Sequence, residues 1–237
     1  IGEHTGQSLC WSFISTCAIP INTFTTNLIM WLLFLIKVFN KGASSFDLKN
    51  SSTSLIFGDA GTATLIDSEK TNQNKSYFLF GSDGKGVESL IIKDSLFKEK
   101  TNERNKLYMN GSDVFNFTIQ RIPGFIAELA NKKNQEINSF DYIFLHQANK
   151  FLINHIRKKI GVSSDCVPIN IDCFGNTSCA SIPLIICSSV NKVVERKEIN
   201  CAMIGFGVGF SWAGVAINLG PIDYLEIDFI WIYSMKN

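Results

Sequence analysis

From position 140 to 220 the sequence repeats one pattern: a short apolar run, a polar loop, a helix-period segment, then another apolar run. Phe140-Asp-Tyr-Ile-Phe-Leu145 leads into His146-Gln-Ala-Asn149. Phe151, Leu152, Ile156 and Ile160 then share one face at helical spacing, and Gly161 closes the segment as a C-cap. Residues 167–171 predict a further strand, and 181–194 a helix with a proline in its tolerated first turn. Cys201-Ala-Met-Ile204 and residues 211–219 predict two strands, joined through Gly205-Phe-Gly-Val-Gly209. Apolar runs alternating with helices are buried by stacking in layers, so this region reads as a layered α/β domain.

Upstream the pattern continues less regularly. Ser54-Leu-Ile-Phe57 predicts a short strand meeting Gly58-Asp-Ala-Gly61, and 62–66 resumes as β-rich sequence. Tyr77-Phe-Leu-Phe80 predicts another strand, closed by the turn-rich Gly81-Ser-Asp-Gly-Lys-Gly86. Residues 93–106 are charged without periodicity and read as a surface loop. Residues 113–131 suit an amphipathic helix interrupted near Pro123. The most apolar stretch, 28–36, is far shorter than the roughly 20 residues a membrane span needs. It reads as a buried helix end running into a core strand, with no membrane span.

Composition narrows the function classes. Hydrophobic residues make up 46% and charged residues 18%, enough to bury a core and too few charges for disorder. With 22 basic and 21 acidic residues the formal charge is +1, which excludes a strongly basic nucleic-acid binder. The seven cysteines are odd in number and include no C-x-x-C, so neither a metal site nor a disulfide framework is expected. Cys187 and Cys201 lie in apolar runs where a free cysteine acts as a small hydrophobe. A cytoplasmic location fits this usage and the lack of a signal pattern at the start. The chain opens on Ile1 rather than Met, as expected of an incomplete copy.

Three junctions deliver polar residues from apolar strands into loops: His146-Gln-Ala-Asn149, Gly175-Asn-Thr-Ser178 and Gly205-Phe-Gly-Val-Gly209. Singly each has an ordinary structural reading. A histidine at a strand end is commonly a satisfied side chain, and a Gly-x-Gly-x-Gly lacks the dinucleotide spacing. Alternating glycines do let a backbone approach a ligand and offer N–H groups.

Taken in this order, and with Gly205-Phe-Gly-Val-Gly-Phe-Ser-Trp212 and the upstream Phe57-Gly-Asp-Ala-Gly61, these motifs resemble β-ketoacyl-acyl-carrier-protein synthase III of the thiolase superfamily. The thirty residues between His146 and Asn176 suit that family. The resemblance runs from about 52 to 219. It implies a thiolase-like layered α/β fold, its N-terminal half partial (1–110, with the nucleophile region) and its C-terminal half complete (111–237, with the His and Asn loops). The family segment that precedes the nucleophile has no counterpart in the sequence.

The resemblance also implies a Cys-His-Asn site and no cofactor, with coenzyme A and phosphopantetheine thioesters as substrates. A cysteine takes an acyl group from acyl-CoA; malonyl-acyl-carrier protein then loses carbon dioxide and its carbanion attacks the acyl-cysteine. His146 Nε2–H and Asn176 Nδ2–H would donate to the enolate oxygen. Phe206, Gly207, Val208 and Gly209 form the substrate-binding loop, with the Val208 N–H facing the acyl carbonyl and Phe206 packing on the catalytic side chains. Cys10 is the nucleophile by its distances to Asp59 and His146. Ser12, however, stands where the family has glycine, and Cys17 is the alternative. A helix opening at Cys10 would lower its thiol pKa. Asp59 is assigned to structure near a subunit interface, and His155 to a partly buried helix position. Lys150, with Arg157 and Lys158, offers a basic face to acidic acyl-carrier protein, although Phe151 occupies the family's usual basic position. The partners implied are acyl-CoA, acyl-carrier protein and, for the full-length form, a second copy. Two alternatives remain open: a related acyltransferase, and a homologue without a functional nucleophile.

Overall fold

The computed structural model describes residues 11–18, 34–40, 56–66, 75–92, 107–189, 198–220, 223–224 and 227–231. One part is a four-stranded sheet: β4 (Tyr77–Ser82), β9 (Ser211–Leu219), β8 (Ile199–Gly207) and β7 (Tyr142–Leu145), in that order. β7 runs parallel to β8, and the other neighbours pair antiparallel. A second sheet holds β2 (Phe34–Asn40), β3 (Asp59–Ile66), β1 (Trp11–Ala18) and β10 (Asp223–Tyr224), and β11 (Asp228–Trp231) also pairs with β1. β5 (Leu90–Ile92) and β6 (Leu107–Met109) form a small antiparallel ladder.

Period-2 alternation explains how β7 serves two cores. Ile143 and Leu145 point to one face and Phe144 to the other, and all three are fully buried. On the first face lie α1 (Gly111–Lys132), through Ile122, Phe125, Ile126 and Leu129, and α2 (Lys150–Ile160), through Leu152, Ile153 and Ile156. On the second face α3 (Ser181–Ser189) sets Ile185 and Ile186 against Phe144 and Cys201. Leu184 of the same helix packs with Ala60 of β3, so α3 is shared by the two sheets. The layered α/β arrangement expected from the alternating pattern is present.

Local signals place the helix ends. Asn110 caps α1 by accepting from the Ser112 and Asp113 N–H groups. Asn149 caps α2 by accepting from Leu152 N–H at 2.7 Å, and Gly161 closes α2 at φ 73. Arg157, Lys158 and Lys159 in the last turn of α2 complement its negative end.

Several expectations are corrected. α1 is not interrupted at Pro123; it runs unbroken through 22 residues, with Pro123 buried. Proline removes the N–H that would bond the Ile119 carbonyl, and Lys159 Nζ of α2 donates to that oxygen instead, at 2.9 Å. Residues 167–171 form no strand, because Pro168 cannot donate to a ladder. The chain there passes by β7 in irregular form, held where Ile143 N–H donates to the Cys166 carbonyl, and ends in a helical turn, Ile171–Phe174. Phe151 stands 69% exposed rather than in the apolar stripe, and Ile153 takes the buried place. Phe57 forms an isolated bridge to Asn176 rather than a strand. Cys187 is buried and disulfide-bonded, not a free thiol. The expected loop at 93–106, the helix end at 28–33 and the helix residues after Ser189 lie outside the described residues.

Candidate active site

β7 ends at Leu145 and delivers His146 to the C-terminal end of the sheet, where the His146 N–H donates to Ile204 O at 2.9 Å. The imidazole is fixed from two sides. Its Nδ1 lies 2.8 Å from Ser181 Oγ at the start of α3, and the Phe206 ring of β8 meets it edge-on, centroids 5.4 Å apart. The ring keeps an edge on the cavity described below, yet protein surrounds it closely. Burial therefore pushes its pKa down to about 4, with the Ser178 carbonyl acting weakly in the other direction. His146 is thus neutral across the physiological range.

Asn176 follows Gly175, which adopts φ 67 and sits tightly against the backbone of 56–58. The Asn176 side chain is 7% exposed, and its Oδ1 accepts from Ser178 N–H at 2.9 Å. Ser178 takes a left-handed φ of 52 there. With Oδ1 so engaged, Nδ2 is the donor the amide has left to offer. Gln147, 1% exposed, braces both loops by donating to Leu145 O and accepting from Asn170 N–H through Oε1.

His146 and Asn176 line one cavity of about 1210 Å³. Its walls include Phe206, Gly207 and Val208 from the third junction, Asn149 and Leu152 from α2 and its cap, and Leu90, Met109 and Phe115 from the small ladder and α1. Val208 is 58% exposed at this cavity, so its side chain does not close the loop. An apolar chamber with a few convergent uncharged donors suits a substrate whose charge develops only during reaction.

Other sequence candidates fall elsewhere. Lys150 is exposed and paired with Asp172, away from the cavity wall. Gly209, at φ 121, turns the chain just beyond Val208. His155 packs edge-on to Phe115 at 6.2 Å, the partly buried helix position expected of it. Cys10 lies outside the described residues. Trp11 to Ala18, which follow it, form strand β1 and not a helix. Cys17 is in that strand.

The sequence reading missed three residues of the site: Ser181, Gln147 as a brace, and Cys179, an exposed free thiol on the cavity wall. Only the placement of Ser181 at a helix start carried any signal, and that signal speaks of capping rather than of His146. Among the described residues no group of three or more His, Cys, Asp or Glu is arranged to hold a metal, and no helix is long and apolar enough to cross a membrane.

The chain is similar to known proteins over much of its length. Residues 130–219 match the family model for the C-terminal region of 3-oxoacyl-[acyl-carrier-protein] synthase III. β-Ketoacyl-[acyl-carrier-protein] synthase III of Clostridium tetani is 33% identical over 185 residues, covering 72% of this chain and 55% of the relative. That of Clostridium perfringens is 31% identical over 182 residues, covering 75% and 56%. The crystal structure of a 3-oxoacyl-(acyl-carrier protein) synthase from Burkholderia xenovorans superposes with a TM-score of 0.73 at 36% identity, covering 79% of this chain and 56% of that one. The chain spans about half the length of the curated relatives it matches.

Proposed function

Since the chain belongs to the 3-oxoacyl-[acyl-carrier-protein] synthase III family and has its thiolase-like α/β fold, we propose that it takes part in decarboxylative condensation, joining an acyl group from acyl-CoA to malonyl-acyl-carrier protein. The observation that carries this reading is that His146 and Asn176 both line one largely apolar cavity.

In the condensation the Cys10 thiolate attacks the acyl-CoA carbonyl and coenzyme A leaves as its thiolate. The C–C bond of the malonyl thioester to its carboxylate then breaks, carbon dioxide departs, and the electron pair becomes an enolate. Nε2–H of neutral His146 and Nδ2–H of Asn176 stabilise that oxyanion. Two uncharged donors do this without holding the leaving carboxylate in place, which a cation would do. The nucleophilic carbon attacks the acyl-cysteine, its carbonyl oxygen facing the backbone of the Gly207–Val208 turn, and the Cys10 thiolate is released. The product is a 3-oxoacyl-acyl-carrier protein, the start of a fatty-acid or related acyl chain, with no cofactor beyond the thioester carriers. Lys150 and Lys158 on the exposed side of α2 are the cations for an acidic carrier protein, Lys150 being shared with Asp172. The cytoplasm, and a second copy as partner in the full-length form, complete this reading.

A second reading has its own support. β1 begins at Trp11, so the residues after Cys10 supply no helix macrodipole to activate a thiolate there. On this reading the chain holds the His146 and Asn176 loops without a functional nucleophile.

Incubation with radiolabelled acyl-CoA separates the two. Condensation predicts covalent label on the native chain that disappears in Cys10→Ala and persists in Cys17→Ala. A folded chain that takes no label leaves the second reading.

A further inference from the structure

The Ser181 hydroxyl belongs to a residue 1% exposed and has two neighbours with which it exchanges hydrogen bonds. Gln147 N–H donates to Ser181 Oγ at 3.4 Å, and His146 Nδ1 lies 2.8 Å from the same oxygen. The Gln147 backbone N–H is only ever a donor, so it occupies a lone pair of Oγ. Two arrangements then remain for the histidine. If Nδ1 carried the ring proton, Oγ would accept two N–H groups and its own O–H would be left without an acceptor in a buried place. If Oγ–H donates to Nδ1, every group is satisfied and the ring proton resides on Nε2. Phe206, edge-on at 5.4 Å, holds the ring in plane for that bond.

We propose that Ser181 is a positioning residue that sets the tautomer of His146, by donating to Nδ1 and so keeping the proton on Nε2. The Ser178 carbonyl also acts on the ring, and with Nδ1 unprotonated the only ring N–H that can meet it is Nε2–H; the assignment itself rests on these hydrogen bonds. Its consequence, that Nε2–H is the standing donor to an enolate, rests on the proposed condensation. Without the hydroxyl, Nδ1 loses the donor that keeps it unprotonated, and the ring proton is free to distribute over both nitrogens. Ser181 contacts no substrate in this scheme and acts only through the imidazole.

The test is nitrogen NMR of the chain labelled in its histidine rings, without substrate and at neutral pH. The expected spectrum shows Nδ1 of His146 as pyridine-like and Nε2 as pyrrole-like. In Ser181→Ala the pattern shifts toward a protonated Nδ1, and Ser181→Thr, which keeps the hydroxyl, restores it. Malonyl-thioester decarboxylation falls by about 10²-fold in Ser181→Ala with KM unchanged, the size expected when one oxyanion donor is lost. A protonated Nδ1 in the unsubstituted chain overturns the inference before any variant is made. So does a tautomer that Ser181→Ala leaves unaltered. The Nε2–H tautomer in a chain with no decarboxylation would refute the condensation reading while the role of Ser181 stands.

Discussion

Asn176 is bonded through its backbone to both neighbours of Phe57: its N–H donates to Ile56 O at 2.8 Å, and its carbonyl accepts from Gly58 N–H at 3.0 Å. The amide proposed to stabilise the enolate is thus positioned by a distant stretch of chain, the Phe57-Gly-Asp-Ala-Gly61 motif. That explains why Asp59, 8% exposed in β3, sits in a conspicuous motif without lining the cavity.

This bridge predicts the effect of Gly58→Ala. A Cβ at Gly58 runs into the carbonyl oxygen of Phe174, a backbone atom that cannot turn aside. The substitution should cost about 1–3 kcal/mol of stability, as overpacking does, and should displace Asn176. Denaturant unfolding of the two proteins measures it; equal midpoints would mean that the bridge is not a fixed part of the fold.

The contact between α1 and α2 at Pro123 invites a double-mutant cycle. Lys159→Met removes the donor to Ile119 O and should cost about 0.5–1.5 kcal/mol. In the Pro123→Ala background the backbone N–H returns to serve that carbonyl, so the same Lys159→Met change should cost close to nothing. An identical cost in both backgrounds would show that Lys159 does not stand in for the missing helix bond.

Protonation of His146 links stability to pH in a defined window. The folded pKa is about 4 against a reference of 6.5, so the unfolded chain binds a proton that the folded chain refuses between those values. Unfolding is favoured wherever the unfolded state holds more protons, so stability drops as pH falls from 6.5 toward 4 and loses nothing further from this group below it. Midpoints across that range should fall less steeply in His146→Gln. An unchanged slope would place the imidazole in water rather than among protein.

Thiol chemistry should sort the cysteines by environment. Cys166 and Cys201 are buried free thiols whose pKa values burial raises, that of Cys201 to about 12. Cys173 and Cys179 are exposed. Peptide mapping after brief iodoacetamide treatment of the native protein should find the second pair modified and the first intact. Rapid modification of Cys201 would contradict the packing of β8 against α3.

Much of the arrangement is legible in the sequence, because strand ends announce themselves. Leu145 and Ile204 close apolar runs, so the polar residues after them had to emerge at one edge of a sheet. Capping residues Asn149 and Gly161 were equally legible, their conformations being set by near neighbours. What escaped depended on partners distant in sequence. The continuity of α1 through Pro123 needs Lys159 of another helix. Lys150 is engaged by Asp172, and Ser181 gains its meaning only where α3 meets His146. Phe151 shows the same limit on a helix surface: apolar spacing counts it inward, while the turn of α2 that packs on β7 sets Ile153 beside Leu152 instead.

Condensation at this site requires two neutral donors acting at one point in the cavity. Release of labelled carbon dioxide from malonyl-acyl-carrier protein tests this most directly, since it requires no acyl-cysteine. The unsubstituted chain should release carbon dioxide, and His146→Ala and Asn176→Ala should each slow release by about 10²–10³-fold. Release at the same rate in both variants, or no release from the folded chain at all, would contradict it.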